Sequence, residues 1–269
     1  MPTPAALGII AGSGVYPLLL ADAARVAGVK NIVVAAFSDE TSPEISNRAD
    51  EIEWLRVGQL GKLLNFFREA KIGHAIMAGQ IAPGNLFNLR PELKAMLLLA
   101  RWKQRNAEAI FGAIADQLGE AGIELLPATT FLDHLLAPAG HIAGPKLKER
   151  EEEDIGFGFE IAKQLSALDV GQTIVVKNGT VLAVEAFEGT NEAIRRGGSL
   201  GKKNAIVVKV TKPEQDMRFD VPVIGTETLQ VAAEAKIRAI GVEAGRTLLL
   251  EKAALIDLAE RSKISLFGR

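Results

Sequence analysis

The chain of 269 residues is 48% hydrophobic and 24% charged, with a formal net charge of −2, the composition of an ordinary globular protein long enough for two domains. The small charge and an aromatic content of 5% exclude the basic field and stacking platforms of nucleic-acid binders, so no nucleic-acid partner is expected. With no cysteine, disulfides, thiolate nucleophiles and thiolate zinc sites are excluded, and since His74, His134 and His141 lack metal-ligand spacing, any metal is expected to be Mg2+ or Mn2+ held by oxygen.

The N-terminus MPTPAALGII has neither the basic segment nor the long apolar core of a signal peptide. No apolar run approaches the ~20 residues of a membrane span. A cytoplasmic protein, attached at most to a membrane surface, is expected. Residues 7–11 read as a short buried strand, Gly12-Ser13-Gly14 as a turn, and 15–27 as a helix. Residues 31–37 form a second strand, 59–70 a helix and 74–81 a third strand. This alternation predicts a Rossmann-like parallel sheet with flanking helices. Helical patterns over 91–105 and 107–118 and a strand near 124–127 complete an N-terminal domain over 1–136.

Residues 137–150, APAGHIAGPKLKER, mix Pro, Gly and basic charge without periodicity and read as a linker. A C-terminal domain, mixed α/β with a β-hairpin, is expected over 151–269. It opens on the acidic run EEED, where negative charge suits a helix N-terminus. In QTIVVKNGTVLAVEAF, Asn178-Gly179 between two alternating apolar runs predicts a hairpin. A short helix from Thr190, a strand over 204–210, a helix over 227–238, the strands IGV and TLLL, a last helix and the strand ISLF follow.

Several motifs bear chemistry. Gly12, Ser13 and Gly14 follow the first strand and open a helix, where backbone N–H groups can hold phosphate; a tight turn without a ligand is the alternative. The dinucleotide fingerprint wants glycine at position 17, where Pro17 stands, which argues against a nicotinamide-dependent oxidoreductase. Gly79 and Gln80 in AGQIAPG sit at the carboxyl end of a parallel strand, where ligands of open α/β sheets gather. The stretch 91–105 is either a buried helix with a solvated end or one that lies on an anionic membrane or lines an acyl-chain cleft. In VEAFEGTNEAIRR, a hairpin strand ends at Glu185 and Glu188, and a helix begins at Thr190 with Arg195 and Arg196 beyond it. Carboxylates, helix start and arginines together describe a phosphate and metal environment.

KPEQDMRFDVPVIG alternates Asp216, Arg218 and Asp220 with Met217, Phe219 and Val221, a strand-like period. Extended, the two aspartates stand roughly 13 Å apart at ~3.3 Å per residue, too far to share one ion. Arg218 can pair with either or with a phosphate. A surface ion-pair strand is the bland alternative.

IIAGSGVYP, MAGQIAP, DVGQTIVV, VLAVEAFEGT, IRRGG, the QDMRFDVPVIG stretch and VEAG together resemble the LpxI family, UDP-2,3-diacylglucosamine pyrophosphatases of lipid A synthesis, over essentially the whole chain. The resemblance implies magnesium-dependent hydrolysis of the pyrophosphate to UMP and 2,3-diacylglucosamine 1-phosphate (lipid X), by two domains that bind the acylated ligand. It implies an essential aspartate in the QDMRFD motif, placed here on Asp220 with Asp216 as runner-up. Glu185 and Glu188 are expected in catalysis, with Asp220 and Glu188 as metal ligands. Gly12, Ser13, Gly14, Gly79, Gln80, Gln172, Thr190, Arg195 and Arg218 are the expected substrate contacts. Where many relatives carry paired acids this chain has Asn106, Ala107 and Glu108, for which a helix-cap role is expected. A peripheral association with the cytosolic face of the inner membrane and a homodimer are further expectations. A non-catalytic nucleotide-sugar or acylated-sugar binding protein is the other reading.

Overall fold

The computed structural model describes residues 3–81 and 107–269. The expected helix over 91–105 and Asn106 lie outside the described residues. The chain divides into two compact units, one of Met1–Leu132 with Met217–Asp220, the other of Asp133–Asp216 with Val221–Arg269.

The first unit is built on five parallel strands, β1 (Ala6–Ala11), β2 (Asn31–Phe37), β3 (Glu51–Leu55), β4 (His74–Ala78) and β5 (Glu124–Leu125), in the order β3-β2-β1-β4-β5. Helices α1 (Tyr16–Val26), α2 (Leu60–Glu69) and α3 (Ala107–Glu120) connect them. β1 and β2 are almost wholly buried, as central strands of a parallel sheet covered on both faces must be. The sequence pattern misses β3, whose EIEWL exposes most of its residues; charge on an edge strand guards it against further pairing and hides its apolar signal. The core includes Val33, Leu63, Phe67, Ala75 and Leu118. Burying each large side chain contributes about 1.5–3 kcal/mol.

The second unit holds six strands, β6 (Gly140–Ala143), β7 (Thr173–Lys177), β8 (Thr180–Val184), β9 (Ala205–Lys209), β11 (Ile237–Val242) and β13 (Ser265–Gly268), in the order β6-β13-β11-β9-β7-β8, and a short parallel pair of β10 (Val223–Ile224) with β12 (Leu248–Leu249). β9, β11 and β13 run parallel, whereas β6 and the β7–β8 hairpin are antiparallel to their neighbours. The helices are α4 (Glu149–Ala167), α5 (Thr190–Gly201), α6 (Thr226–Glu234) and α7 (Lys252–Ser262).

The stretch 137–150, expected as a linker, instead carries β6 and the first residues of α4 and belongs to the second unit. One of its glycines, Gly144, serves close packing. A Cβ on Gly144 would stand 2.0 Å from the Ile264 carbonyl oxygen, and one on the facing Gly268 would stand 1.9 Å from that of Pro138. Short edge strands with such contacts leave no periodicity for a sequence pattern to show.

The hairpin forms at Asn178-Gly179, both at positive φ, as that turn type requires. The acidic run that opens α4 does more than complement a helix dipole. Asp154, 7% exposed, accepts hydrogen bonds from the Asn178 N–H at 2.8 Å and the Gly179 N–H at 2.7 Å. Asp154→Ala is expected to destabilise the second unit by about 1–3 kcal/mol, because two turn donors lose a charged partner. A Tm series on Ala and Asn variants checks this, and Asp154→Asn, which keeps an acceptor, should lose less.

Candidate functional site

In open α/β sheets, ligands gather at the carboxyl ends of the parallel strands. In the second unit that edge collects the ends of β8, β9 and β11 and the start of the antiparallel β7. Glu185, just past β8, accepts a 2.8 Å hydrogen bond from the Thr190 hydroxyl on Oε1 and a 3.3 Å one from the Gln172 N–H on Oε2. Gly171 lets the chains approach, since a Cβ there would lie 2.1 Å from the Glu185 carbonyl oxygen. Thr190 is the first residue of α5, after Gly189 at φ +83°. Its hydroxyl also accepts from Lys209 Nζ at 3.2 Å, and that ammonium donates to the Val223 carbonyl at 3.1 Å. The sequence-expected residues Gln172, Glu185 and Thr190 are thus brought together, with Lys209 beside them.

Glu188 is differently employed. Arg196 Nη2 stands 2.5 Å from its Oε1, and the Ala186 N–H donates to its Oε2 at 3.1 Å. The hydrogen bond from Arg196, with backbone donors, holds its carboxyl below the usual range. Arg195 pairs with Glu192 at 2.5 Å on an exposed helix face. The arginine that meets the Glu188 loop is therefore Arg196.

The QDMRFD stretch is not the strand its alternation implies. Turns occupy 213–214 and 217–219. Gln215 closes the first: its Oε1 accepts from the Lys212 N–H at 2.5 Å, and its own N–H reaches the Lys212 carbonyl at 3.3 Å. Asp216 ends a segment of the second unit, whereas Arg218 and Asp220 belong to the first. There the Ala128 N–H donates to the Met217 carbonyl at 2.8 Å. Phe219 lies with its ring centroid 5.9 Å from that of Phe111 and packs on the core, while the Arg218 guanidinium stands 6.0 Å from the Phe219 ring centroid. Phe219 of the alternation is thus engaged in core packing.

Also in the first unit, the turn after β1 and the loop after β4 lock together. The Gly12 N–H donates to Ala78 at 2.8 Å, the Ser13 N–H to the Gln80 carbonyl at 2.7 Å, and the Ser13 hydroxyl to that same carbonyl at 2.9 Å. A Cβ on Gly12 would meet the Gln80 carbonyl oxygen at 2.4 Å, and one on Gly79, at φ +92°, the Ser13 oxygen at 2.6 Å. These glycines allow two backbones to touch, and two amides of the turn are already donated inside the protein. Gly14 has nothing within 4 Å of its Cβ position. With Ser38, Asp39, Glu40 and Thr41 it lines an open cleft of about 560 Å3 beside the ends of β1 and β2. Tyr16, next along, is buried and donates to the Ala128 carbonyl at 2.5 Å; burial pushes its phenol pKa up.

Two domain models of one family match the chain, the LpxI N-terminal domain over residues 6–135 and the LpxI C-terminal domain over 138–267. The chain belongs to the LpxI family. A curated relative, UDP-2,3-diacylglucosamine pyrophosphatase LpxI of Caulobacter vibrioides, is 29% identical over 97% of this chain and 96% of that protein. Among solved structures, the biotin carboxylase domain of Hydrogenobacter thermophilus 2-oxoglutarate carboxylase is 13% identical with a TM-score of 0.29, over 65% of this chain and 35% of that one. The biotin carboxylase subunit of a pyruvate carboxylase is 15% identical with the same TM-score, over 69% and 36%. The chain spans about a third of those two, and the likeness is too slight to bear on its fold or function.

Among the described residues no three His, Asp or Glu side chains converge as a divalent cation would require, and both oxygens of Glu188 are engaged. Three functional-edge residues escape a sequence reading. Lys209 ends the apolar run AIVVK, a lysine where a central strand stops, which is the one signal that marks it. Lys163 and Glu243 meet with Nζ to Oε2 at 2.6 Å and give no local sign, because they lie 80 residues apart. Burial pushes the Glu243 carboxyl up, but hydrogen bonds from Lys163 and Thr211 outweigh it and hold the group below its usual value.

Proposed function

We propose that this protein hydrolyses the pyrophosphate of UDP-2,3-diacylglucosamine, water adding across the P–O–P linkage to give UMP and 2,3-diacylglucosamine 1-phosphate, in lipid A synthesis. The observation that carries this reading is that LpxI models match both halves of the chain, while a relative of that activity aligns nearly end to end. The chemistry asks for positive charge on non-bridging oxygens and a positioned water. Lys209 and Arg196 are cations beside the Glu185–Thr190 cluster, and Arg218 is one two residues before Asp220 in the chain. Glu185 accepts the hydrogen bond of the Thr190 hydroxyl on Oε1 and so turns that hydroxyl's lone pairs toward Lys209, whose charge would favour a phosphate oxygen at this edge. Asp220, with Asp216 as runner-up, is the group proposed to orient the attacking water or to hold Mg2+ or Mn2+. Such an ion, when bound, would add charge neutralisation at the phosphates.

The substrate is an amphiphile, so the reading includes peripheral work at the cytosolic face of the inner membrane. No helix among the described residues is long and apolar enough to cross a membrane. A homodimer belongs to the same reading, to be settled by light scattering. The direct test is UMP release from UDP-2,3-diacylglucosamine in detergent, with and without Mg2+ or Mn2+. Metal-dependent release of UMP and lipid X in equal amounts supports the proposal. Binding without release across both metals would leave the sugar-binding reading in its place.

A further inference from the structure

At the base of the segment that carries Asp216 and Asp220, three elements converge on one atom. Glu243, just past β11, uses Oε2 to accept from Lys163 Nζ of α4 at 2.6 Å, from the Thr211 N–H at 2.8 Å and from the Thr211 hydroxyl at 2.5 Å. Lys163 Nζ also donates to the Thr211 carbonyl at 2.9 Å and to its hydroxyl at 3.0 Å. Thr211 is fully buried, with 0% exposure, and the Glu243–Lys163 pair satisfies its N–H, its carbonyl and its hydroxyl together. The next residue, Lys212, is tied by its ammonium to Asp169 and by its N–H to Gln215. The chain is therefore pinned from Thr211 to Gln215, one residue short of Asp216.

We propose that Glu243 and Lys163 are positioning residues that, through Thr211, set the placement of the 212–220 segment and so of its aspartates. The catalytic arm of this inference rests on the hydrolase reading above. Side chains of Lys163 and Glu243 are 30% and 14% exposed. Withdrawing such a pair from water costs more than an apolar pair of like volume, so general stability is a poor reason for it. What an apolar pair cannot do is offer one acceptor to two Thr211 donors and one donor to two Thr211 acceptors. That is a geometric task, and a misplacement of ~1 Å at a reacting group is enough to cost on the order of 10²-fold in rate.

Thr211→Val keeps the shape and the N–H but removes the hydroxyl. It is expected to lower kcat for UMP release by roughly 10- to 100-fold and to leave KM nearly unchanged. Amide hydrogen exchange of the peptide covering 212–220 should quicken while β1 and β4 stay as in the wild type. Thr211→Ser, which keeps the hydroxyl, should recover most of both. Should the Val variant not fold, Glu243→Gln retains an acceptor for Thr211 and should move kcat and exchange in the same direction, by less. Three results would overturn the proposal: unchanged kcat and exchange in folded variants, a fall in kcat with exchange of 212–220 unchanged, or a uniform rise in exchange across the second unit. A wild type that releases no UMP would sink the hydrolase reading, and the exchange measurement would still decide the anchoring.

Discussion

Asp220→Ala is expected to cut UMP release by about 10³-fold, the scale on which removal of one preorganised group at a phosphoryl or acyl centre acts. Because the group is asked to act on the water or the developing charge, kcat should fall with kcat/KM and KM should change little. The mutation should leave the fold alone. Asp220 is half-buried, and its segment keeps anchors that the substitution does not touch, the Thr211 contacts that precede it and the Ala128–Met217 backbone bond and Phe111–Phe219 contact next to it. Asp216→Ala is the control that makes the result informative. The two aspartates belong to different compact units, and their neighbours Gln215 and Phe219 make different contacts, so each needs a variant of its own. Loss in Asp220→Ala with at most a tenfold loss in Asp216→Ala assigns the reacting role to Asp220. The reverse pattern transfers it to Asp216, and survival of both variants turns attention to Glu185, whose Oε1 is committed to Thr190.

How far the sequence could carry this site depends on the range of the contacts involved. The strand over Asn31–Phe37 and the Asn178-Gly179 hairpin are legible because period and turn chemistry are local. The GSG turn is visible as a turn, but its purpose is not. Gly12 is small because Gln80, far along the chain, passes 2.4 Å from where its Cβ would be, and no local pattern encodes that. The alternation D-M-R-F-D has the period of a strand, yet the chain turns there: Gln215 closes one turn and Phe219 is drawn onto the first unit's core. Packing of Phe219 and the Gln215 turn overrode the extended reading. Charges separated in sequence fare worst. Glu243 and Lys163 meet only because β11 and α4 end at the same edge, and Arg196 meets Glu188 while Arg195 meets Glu192 because helical phase, not order in the chain, selects which arginine faces back.

The largest stability effect is expected from Phe67→Ala, about 3–5 kcal/mol, in the core of the first unit. Phe67 is fully buried on α2, and the sheet makes room for it. Gly8 sits in the middle of β1, and a Cβ there would stand 3.0 Å from Phe67 Cε2 and Cζ and 2.9 Å from Ile72 Cγ2. Glycine inside a strand is otherwise unfavourable, so its presence is explained by the ring it accommodates. Gly8→Ala alone should then destabilise through overpacking, by about 1–3 kcal/mol. In the Phe67→Ala background the same methyl enters vacated space, and its cost should fall to near zero or become a gain. The double-mutant cycle should thus show coupling of about 1–3 kcal/mol. Urea unfolding followed by tryptophan fluorescence suits the test, since Trp54 and Trp102 both lie in the N-terminal half of the sequence. Additive losses would mean that Ile72, and not the phenyl ring, is what requires glycine at position 8, and Ile72→Val with Gly8→Ala would then be the pair that couples.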